Sequence, residues 1–386
     1  MPDLSKGAYQ IYGEAAFEVL AKAQELERKN KTILHFEIGE PDMDTPDNIC
    51  NAAIKAIQEK KTRYVPSIGL HELRQSVVEE IEKTHGYRPD LEQIVITPGL
   101  KPGIFFAMLA IVNPSDQVIY PDPGYPTYGS VSSYLNAEQV KIPLLEENEF
   151  RMNPADIKEK ITEKTKLVII NSPQNPTGSV MTKTEMEEIA ELAEEYDFFV
   201  ISDEIYSKMT YDVTHYTPTI RDEAKERSIL LDGFSKYYAM TGWRLGYMVA
   251  PEKITKRLQD FLVSAISCTS SITQWAGIEA LKGEQFFISE MMDRFRKKRD
   301  KIVKGLNSIK GFHCTVPKGA FYAFPNISET GLTSQECADQ LLYNAGIATL
   351  PGTAFGPYGE GYIRFSYATT LETIDKAIKQ IKESFE

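Results

Sequence analysis

The sequence has few cysteines and no long apolar segment, and both absences narrow the class of protein. Its 386 residues include four cysteines, and none of them belongs to a CxxC pair. A disulfide framework or a zinc site is therefore not expected, and a reducing cytoplasm fits better. The first residues, MPDLSKGAYQ, lack the apolar region of a signal peptide, and the apolar stretch 104–112 is too short to span a bilayer. We expect a soluble cytoplasmic protein without a metal.

A shortage of basic residues excludes a further set of partners. The chain carries 43 basic and 55 acidic residues, which gives a formal net charge of −12. Such a surface repels nucleic acids and anionic lipids, so we expect neither a nucleic-acid partner nor a membrane partner. A small anionic ligand would have to be held by a few cations placed within its binding site, because the overall field opposes it.

What the sequence does contain is an alternation of strand-like and helix-like segments. Short apolar runs predict strands at residues 94–97, 117–121, 167–171, 198–202, 228–232 and 245–250. Helical patterns occupy residues 14–29, 103–112, 184–196, 292–310 and the chain from 371 onward. The first of these patterns has an apolar face made of Phe17, Leu20, Ala21 and Ala23. Apolar strands separated by helices are typical of a mostly parallel sheet buried on both faces, and hence of an α/β fold.

Unusual residues cluster directly after five of the predicted strands. The segments TPGLKPG, PDPGYP, NSPQNPTG, SDEIY and DGFSK each follow one strand. In open α/β sheets, ligands bind at the carboxyl ends of the strands. Five clusters at five such ends therefore predict one shared binding site.

Residues of these clusters suit a ligand that carries both a phosphate and an aldehyde. The amine of Lys236 can form a Schiff base with the aldehyde, while Ser235 and Arg244 can hold the phosphate. Residues 99–103 open a helix, whose free N–H groups offer a second contact to the phosphate. Each residue alone has an ordinary alternative, such as a solvated lysine or a simple turn. Their order at successive strand ends argues against those alternatives.

Longer motifs identify a resemblance that extends along essentially the whole chain. They are FEIGEPDMDTP (36–46), RYVPSIGLHELR (63–74), NSPQNPTG (171–178), SDEIY (202–206), SKYYAMTGWRLGY (235–247) and YIRFSYA (362–368). Together they resemble the class I and II aminotransferases of the fold-type I superfamily, which use pyridoxal 5'-phosphate (PLP). The resemblance implies a large domain at 46–285 with a mostly parallel seven-stranded sheet flanked by helices. It also implies a small α+β domain at 286–386, joined by an N-terminal arm at 1–45.

The resemblance implies a cofactor role for each motif residue. Lys236 would carry the cofactor and later shuttle a proton, and Tyr206 and Asn175 would donate to the phenolic oxygen of the ring. Asp203 would pair with the pyridine nitrogen, because a buried carboxylate favours the protonated ring that accepts electrons. Tyr125 would stack on the ring face. The phosphate would be bound by Gly99, Leu100, Lys101, Ser235, Arg244 and, from the neighbouring subunit of a homodimer, Tyr64.

The resemblance also implies how the substrate is bound. Arg364 would bind the α-carboxylate, since its planar fork suits a bidentate pair, and Gly39 and Asn175 would assist. Lys101 resembles a lysine that some members direct at the side-chain carboxylate of acidic substrates, although a solvated lysine beside the phosphate is an equal alternative. Hydroxyl residues that assist there are replaced here by Glu14, Ala15 and Ala16, from which we expect a more apolar rim.

Two positions depart from the pattern of the relatives. Gly233 occurs where many of them have a hydroxyl or amide residue, so one phosphate contact is expected to be missing. Pro102 follows the phosphate loop, and proline fits the first turn of a helix because its missing N–H would have no partner there.

The predicted function is an aminotransferase reaction (EC 2.6.1.-) by a ping-pong mechanism, from an L-amino acid to a 2-oxo acid such as 2-oxoglutarate. Aspartate is the predicted donor. A broad-specificity alanine, methionine or aromatic aminotransferase and a PLP-dependent lyase are the alternatives. A regulator built on this fold would usually carry a basic helix-turn-helix segment, and none precedes residue 14.

Overall fold

The computed structural model describes residues 3–220 and 223–385 of the chain, which form twelve α-helices and twelve β-strands. The helices are α1 (Ala15–Arg28), α2 (Asp47–Gln58), α3 (His71–His85), α4 (Leu100–Ile111), α5 (Pro126–Tyr134), α6 (Pro154–Lys160), α7 (Lys183–Tyr196), α8 (Glu252–Ile266), α9 (Ser271–Lys282), α10 (Phe286–Leu306), α11 (Ser334–Tyr343) and α12 (Leu371–Phe385). The strands are β1 (Leu34–His35), β2 (Ile94–Thr97), β3 (Gln117–Asp122), β4 (Glu138–Pro143), β5 (Thr165–Asn171), β6 (Phe199–Asp203), β7 (Ser228–Gly233), β8 (Gly246–Val249), β9 (Tyr322–Ala323), β10 (Ile347–Ala348), β11 (Leu350–Pro351) and β12 (Ile363–Ser366).

Seven of these strands form one sheet, in the order β2-β8-β7-β6-β5-β3-β4. Strand β8 runs antiparallel to both of its neighbours, and all other neighbouring strands are parallel. The predicted α/β fold with a mostly parallel seven-stranded sheet is confirmed. Because β2 and β7 both oppose β8, six of the strands point in one direction, and their carboxyl ends meet at one edge.

Helices cover both faces of this sheet, which explains why every strand except the edge strand β4 is buried along nearly its whole length. In β2, Ile94 belongs to the same buried cluster as Leu73 of α3. Its neighbour Val95 belongs to a different buried cluster, together with Ile104 of α4 and Leu258 of α8. Successive residues of a strand point to opposite faces, so each face of β2 has its own helical cover.

The two ends of the chain come together outside this sheet. Strand β1 pairs in parallel with β10, and β9, β12 and β11 form a separate three-stranded antiparallel sheet. Helix α10 packs on α12 at Gly305, where an added Cβ would lie 2.5 Å from the side chain of Ile378. These contacts are compatible with a small domain that includes the N-terminal arm, but the boundaries at residues 45 and 285 stay predictions.

The first helix lies where the sequence predicts it, but its predicted apolar face is wrong. Of that face only Ala23 is buried, together with Leu26, while Phe17 is 60% exposed. The buried side of α1 is instead the one that carries Ala23 and Leu26, which cluster with Leu342 and Ala348. Among the described helices, none has the combined length and apolar character needed to cross a membrane.

Candidate active site at the carboxyl edge of the sheet

A cavity of about 510 Å³ lies at the edge where the parallel strands end. Its lining includes Asn171, the last residue of β5, Asp203, the last residue of β6, and Ser235, which follows β7. The five clusters after the strands thus converge, as the sequence predicts. All predicted site residues except Gly99 and Tyr64 line the cavity: Gly39, Leu100, Lys101, Tyr125, Asn175, Asp203, Tyr206, Ser235, Lys236, Arg244 and Arg364.

The amine of Lys236 is buried within the cavity. It donates a hydrogen bond to the carbonyl oxygen of Gly39 at 2.5 Å. Burial lowers the pKa of Lys236 to about 8, and the positive charges of Arg364 and Lys101 act in the same direction. A lysine with a lowered pKa has more of its amine in the neutral, nucleophilic form near pH 7.

The carboxylate of Asp203 is buried and bound by few partners. Its Oδ2 accepts a hydrogen bond of 2.6 Å from the hydroxyl of Tyr128, and its Oδ1 accepts one of 3.4 Å from the backbone N–H of Ile205. Burial nevertheless raises the pKa of Asp203 to about 6. A cation brought against this carboxylate would reverse that effect, since an opposite charge favours the ionised form. The ionised carboxylate of Asp203 can therefore stabilise a positively charged group bound in the cavity.

The guanidinium of Arg364, on β12, is a buried cation without an acidic partner among the described residues. Its Nη1 donates to Oδ1 of Asn175 at 3.1 Å, and its Nη2 donates to the carbonyl oxygen of Glu37. Its Nε has no hydrogen-bond partner. The group lies 4.7 Å from the ring centre of Tyr322 and 4.9 Å from that of Phe355. A buried cation with free donor capacity is a binding site for an anion such as a carboxylate.

Two tyrosines adjoin this arginine. The hydroxyls of Tyr206 and Tyr322 form a hydrogen bond of 2.6 Å, and burial raises the pKa of both groups. An added Cβ at Gly39 would lie 2.2 Å from the Tyr322 hydroxyl, so Tyr322 requires glycine at that position. Tyr322, which begins β9, was not predicted as a site residue from the sequence.

The start of α4 forms a cradle with Arg244. Gly99 precedes the helix with a φ of +86°, and an added Cβ would lie 2.3 Å from Nη2 of Arg244. Gly99 therefore leaves room for the guanidinium rather than lining the cavity itself. The unpaired N–H groups of the first helical turn, Ser235 and Arg244 together offer donors and positive charge to a phosphate.

Glu14 and Lys101 lie at the rim of the cavity, where the expectation of a more apolar surface is wrong. The carboxylate of Glu14 forms an ion pair with Nζ of Lys101. The same carboxylate accepts a hydrogen bond of 2.8 Å from the hydroxyl of Tyr125. Ala16 does line the cavity, but the rim is charged because Glu14 reaches over it.

Three further expectations concern positions beside the cavity. Tyr64 is 88% exposed and does not line the cavity of its own chain, so a contact across a subunit boundary stays a prediction. At Gly233 an added Cβ would lie 3.1 Å from the backbone of Gly246 on β8, so close pairing of the strands favours glycine there. Pro102 lies in the first turn of α4, as expected.

Tyr128 is a second residue of the site that was not predicted, although the sequence carries a signal for it. Tyr125 immediately precedes α5, and Tyr128 follows three residues later, about one helical turn onward. The two rings meet edge to face, with their centres 5.7 Å apart. A helical spacing from the predicted ring-stacking tyrosine therefore pointed to a second tyrosine near the cavity.

Comparisons with known proteins agree with this geometry. The profile described as aminotransferase class I and II matches residues 31–381. An aspartate aminotransferase of Pyrococcus horikoshii is 41% identical over 360 residues, which cover 93% of this chain and 92% of that protein. Aromatic-amino-acid aminotransferase 2 of Thermococcus litoralis is 38% identical and covers 91% of both chains. The structure of an aspartate aminotransferase from Thermus thermophilus with maleate is 34% identical, has a TM-score of 0.96 and covers 100% of both chains.

Proposed function

Because this chain belongs to the class I and II aminotransferases, a family of PLP-dependent transferases, we propose that it transfers the amino group of aspartate to 2-oxoglutarate. The observation that carries the proposal is that one cavity is lined by the amine of Lys236, the carboxylate of Asp203 and the guanidinium of Arg364. These are the groups needed to hold an aldehyde cofactor, to stabilise its protonated ring and to bind a substrate carboxylate.

The residues present fit PLP. Bound PLP supplies an aldehyde that captures a primary amine and a protonated pyridine ring that withdraws electrons. Lys236 offers an amine whose pKa is lowered to about 8, and Asp203 offers a buried carboxylate whose raised pKa of about 6 a ring cation would lower. The room that Gly99 leaves for Arg244 supports a phosphate site at the start of α4.

We assign the chemical steps to three side chains. Lys236 holds the cofactor and, when its amine is released, moves the proton at the substrate's Cα. Asp203 keeps the ring nitrogen protonated, and Tyr128 holds the Asp203 carboxylate in place through the hydrogen bond of 2.6 Å. Because the pKa of Lys236 lies near 8, its amine can both accept and return a proton near neutral pH.

Other residues orient the cofactor and the substrate in this proposal. Asn175 and Tyr206 donate to the phenolic oxygen of the ring, and Tyr125 covers the ring face. The phosphate contacts come from Gly99, Leu100, Lys101, Ser235 and Arg244, with Tyr64 supplied by the second subunit of a homodimer. Arg364 holds the α-carboxylate together with Asn175 and the backbone of Gly39. The free Nε of Arg364 supports this last role, because a carboxylate would supply the partner it lacks.

The homodimer itself is part of the proposal. Tyr64 is 88% exposed, and Tyr9 and Phe17 of the N-terminal segment are 71% and 60% exposed. A second subunit packed on these apolar groups would remove them from water. The cytoplasmic location is proposed from the cysteine usage of the sequence.

The donor is proposed from the names of the relatives, which include an aspartate aminotransferase at 41% identity. An aromatic-amino-acid aminotransferase at 38% identity keeps a broader donor range as the second candidate. Lys101 supports acidic donors because its ammonium lines the cavity, opposite in charge to a substrate's second carboxylate.

A panel of amino donors tests the proposal. Aspartate, alanine, methionine and phenylalanine are each mixed with 2-oxoglutarate, and both the new keto acid and glutamate are measured. We expect one glutamate for each keto acid formed, with the largest kcat/KM for aspartate. Donor consumption without glutamate would indicate lyase chemistry and overturn transamination. A larger kcat/KM for a neutral donor would overturn the choice of aspartate only.

A further inference from the structure

Glu14 occupies an unusual place for a glutamate, directly before the first residue of α1. Residues at this position commonly turn their side chain back to bind the N–H groups of the helix, but Glu14 makes no such hydrogen bond. Its carboxylate reaches the cavity instead, where it contacts Lys101 and accepts the hydrogen bond from Tyr125 at 2.8 Å. The side chain is therefore held by the cavity and not by its own helix.

The charges around the cavity leave Glu14 and Lys101 as a separate pair. In the proposed function, Asp203 faces the ring, Arg244 faces the phosphate and Arg364 faces the α-carboxylate. Glu40 also lines the cavity, and its carboxylate accepts a hydrogen bond from the hydroxyl of Thr241. Lys236 would carry the cofactor, so Lys101 is the lining cation that a substrate side chain can contact. The carboxylate of Glu14 already occupies it.

We propose that Glu14 is a built-in competitor for the substrate's side-chain carboxylate and thereby sets the preference between acidic and neutral substrates. The inference rests on the proposed function and deepens it. An acidic substrate displaces Glu14 from Lys101. A substrate with a neutral side chain leaves the ion pair in place.

The physical reason is that one site must serve two classes of ligand. Without Glu14, the ammonium of Lys101 would face an apolar substrate side chain with no counter-ion, which is unfavourable in a partly desolvated cavity. With Glu14, that charge stays neutralised, but a dicarboxylate meets a like charge and must exchange one ion pair for another. Glu14 thus weakens dicarboxylates and permits neutral side chains. The side chains of the pair are partly exposed, at 47% for Lys101 and 23% for Glu14. Such an ion pair is weak enough for a bound substrate to displace Glu14.

The test compares Glu14→Gln with Glu18→Gln in the PLP-loaded enzyme. Glu18 is an exposed acid on the same helix and does not line the cavity, so it controls for the loss of one negative charge. Two ligands that carry no amino group serve as probes in calorimetry: maleate, a dicarboxylate, and 3-phenylpropionate, a monocarboxylate with an apolar end. We expect Glu14→Gln to bind maleate about two- to fivefold more tightly, which is the range typical of a partly exposed ion pair. Binding of 3-phenylpropionate should stay equal or weaken, and Glu18→Gln should bind both as the unaltered enzyme does.

A second variant tests whether the effect passes through Lys101. When Lys101 is already replaced in Lys101→Met, adding Glu14→Gln should no longer tighten the binding of maleate. No cation then remains for which the carboxylates of Glu14 and maleate compete. The ratio of kcat/KM for aspartate over phenylalanine should rise in Glu14→Gln by the same factor as maleate affinity. Unchanged or weaker maleate binding in Glu14→Gln would overturn the inference. An enzyme that forms no glutamate from any donor would overturn the proposed function instead, and the two outcomes are separate because the calorimetry requires no turnover.

Discussion

Tyr128 donates a hydrogen bond of 2.6 Å to Oδ2 of Asp203, and both side chains are buried. This bond favours the ionised carboxylate, whereas burial acts against it and raises the pKa of Asp203 to about 6. The protonation of Asp203 is therefore balanced between the two effects. A tyrosine that contacts no substrate in the proposal thus controls how well Asp203 holds a cationic ring.

Replacing Tyr128 by phenylalanine removes the hydrogen bond and should raise the pKa of Asp203 further. A larger fraction of Asp203 is then protonated at a given pH, so the acid limb of the kcat/KM profile should move to higher pH. A hydrogen bond to a charged group contributes about 1.5 kcal/mol, which is about one unit of pKa, so kcat/KM should fall roughly tenfold on the acid limb and about twofold near pH 7. The measurement is a pH profile with aspartate, with Tyr134→Phe on the same helix as control. An acid limb at the same pH in Tyr128→Phe would show that Tyr128 does not control the protonation of Asp203.

Asp203→Asn keeps the shape of the side chain but removes its charge. The ring nitrogen then loses its proton more readily, and each unit of pKa lost corresponds to about 1.4 kcal/mol. A shift of several units should lower kcat by roughly three or more decades. Cofactor content is measured in parallel by absorbance. Near-normal turnover with PLP bound would show that Asp203 is only structural.

Lys236→Ala should retain PLP non-covalently and lose turnover, because no other amine of the cavity is expected to replace it. In the unaltered enzyme, borohydride treatment followed by peptide mapping should attach the cofactor to the peptide that contains Lys236. Lys236→Arg keeps a positive charge without a nucleophilic amine and should be equally inactive. Recovery of the label on Lys101 or any other lysine would contradict the assignment.

Arg364→Ala should lower kcat/KM for every amino acid by a similar factor, since all of them carry an α-carboxylate. Loss of one partner of a buried charge pair costs about 2–5 kcal/mol, which is roughly 30-fold to several-thousand-fold in kcat/KM. Arg364→Lys should restore little, because a point charge cannot reproduce the planar fork. Arg88→Ala, which removes an exposed arginine, is the control. A loss confined to acidic donors would assign Arg364 to the side-chain carboxylate instead.

Glu204 follows Asp203 in the chain and should stabilise the fold through two histidines. Its Oε2 accepts hydrogen bonds from His85 at 2.9 Å and from His215 at 2.8 Å, and Ser202 donates to its Oε1 at 2.7 Å. The histidines lower the pKa of Glu204 although burial opposes this. Burial also opposes the charge on His85, but Glu204 raises the pKa of that imidazole overall.

These pKa shifts determine the pH range in which Glu204 adds to the free energy of unfolding. The stabilisation by its carboxylate is present above the ordinary carboxyl pKa and is lost as the pH falls through the lowered value. The contribution of His85 is present below the ordinary imidazole pKa and is lost as the pH rises through the raised value. Glu204→Gln should therefore lower stability most between about pH 5 and 6.5, by about 3 kcal/mol. Urea unfolding at pH 6 and pH 9 measures this, with the exposed Glu82→Gln as control. An equal loss at both pH values would exclude the ionic contribution of His85.

Much of the site was predictable because it lies on segments whose local signals are strong. Continuous apolar strands followed by glycine, proline and polar residues indicated Asp203 and Lys236, and a parallel sheet brings such strand ends to one edge. Asn175 was predicted from the resemblance to the family. The one strand of the large sheet that was not predicted is β4, at the edge of the sheet. Its first residues, Glu138 and Gln139, are exposed, so it lacks the apolar run that marked the other strands.

The sequence by itself determined the alternation of strands and helices and the residues at the strand ends, because apolar periodicity and turn residues act over a few neighbouring positions. Only the tertiary structure decided which distant side chains meet. Glu14 and Lys101 are 87 positions apart, and Tyr206 and Tyr322 are 116 positions apart. No local pattern specifies such contacts, because they depend on how the N-terminal segment and the small sheet pack over the edge of the large one. The same packing turned an expected apolar rim into the Glu14–Lys101 ion pair.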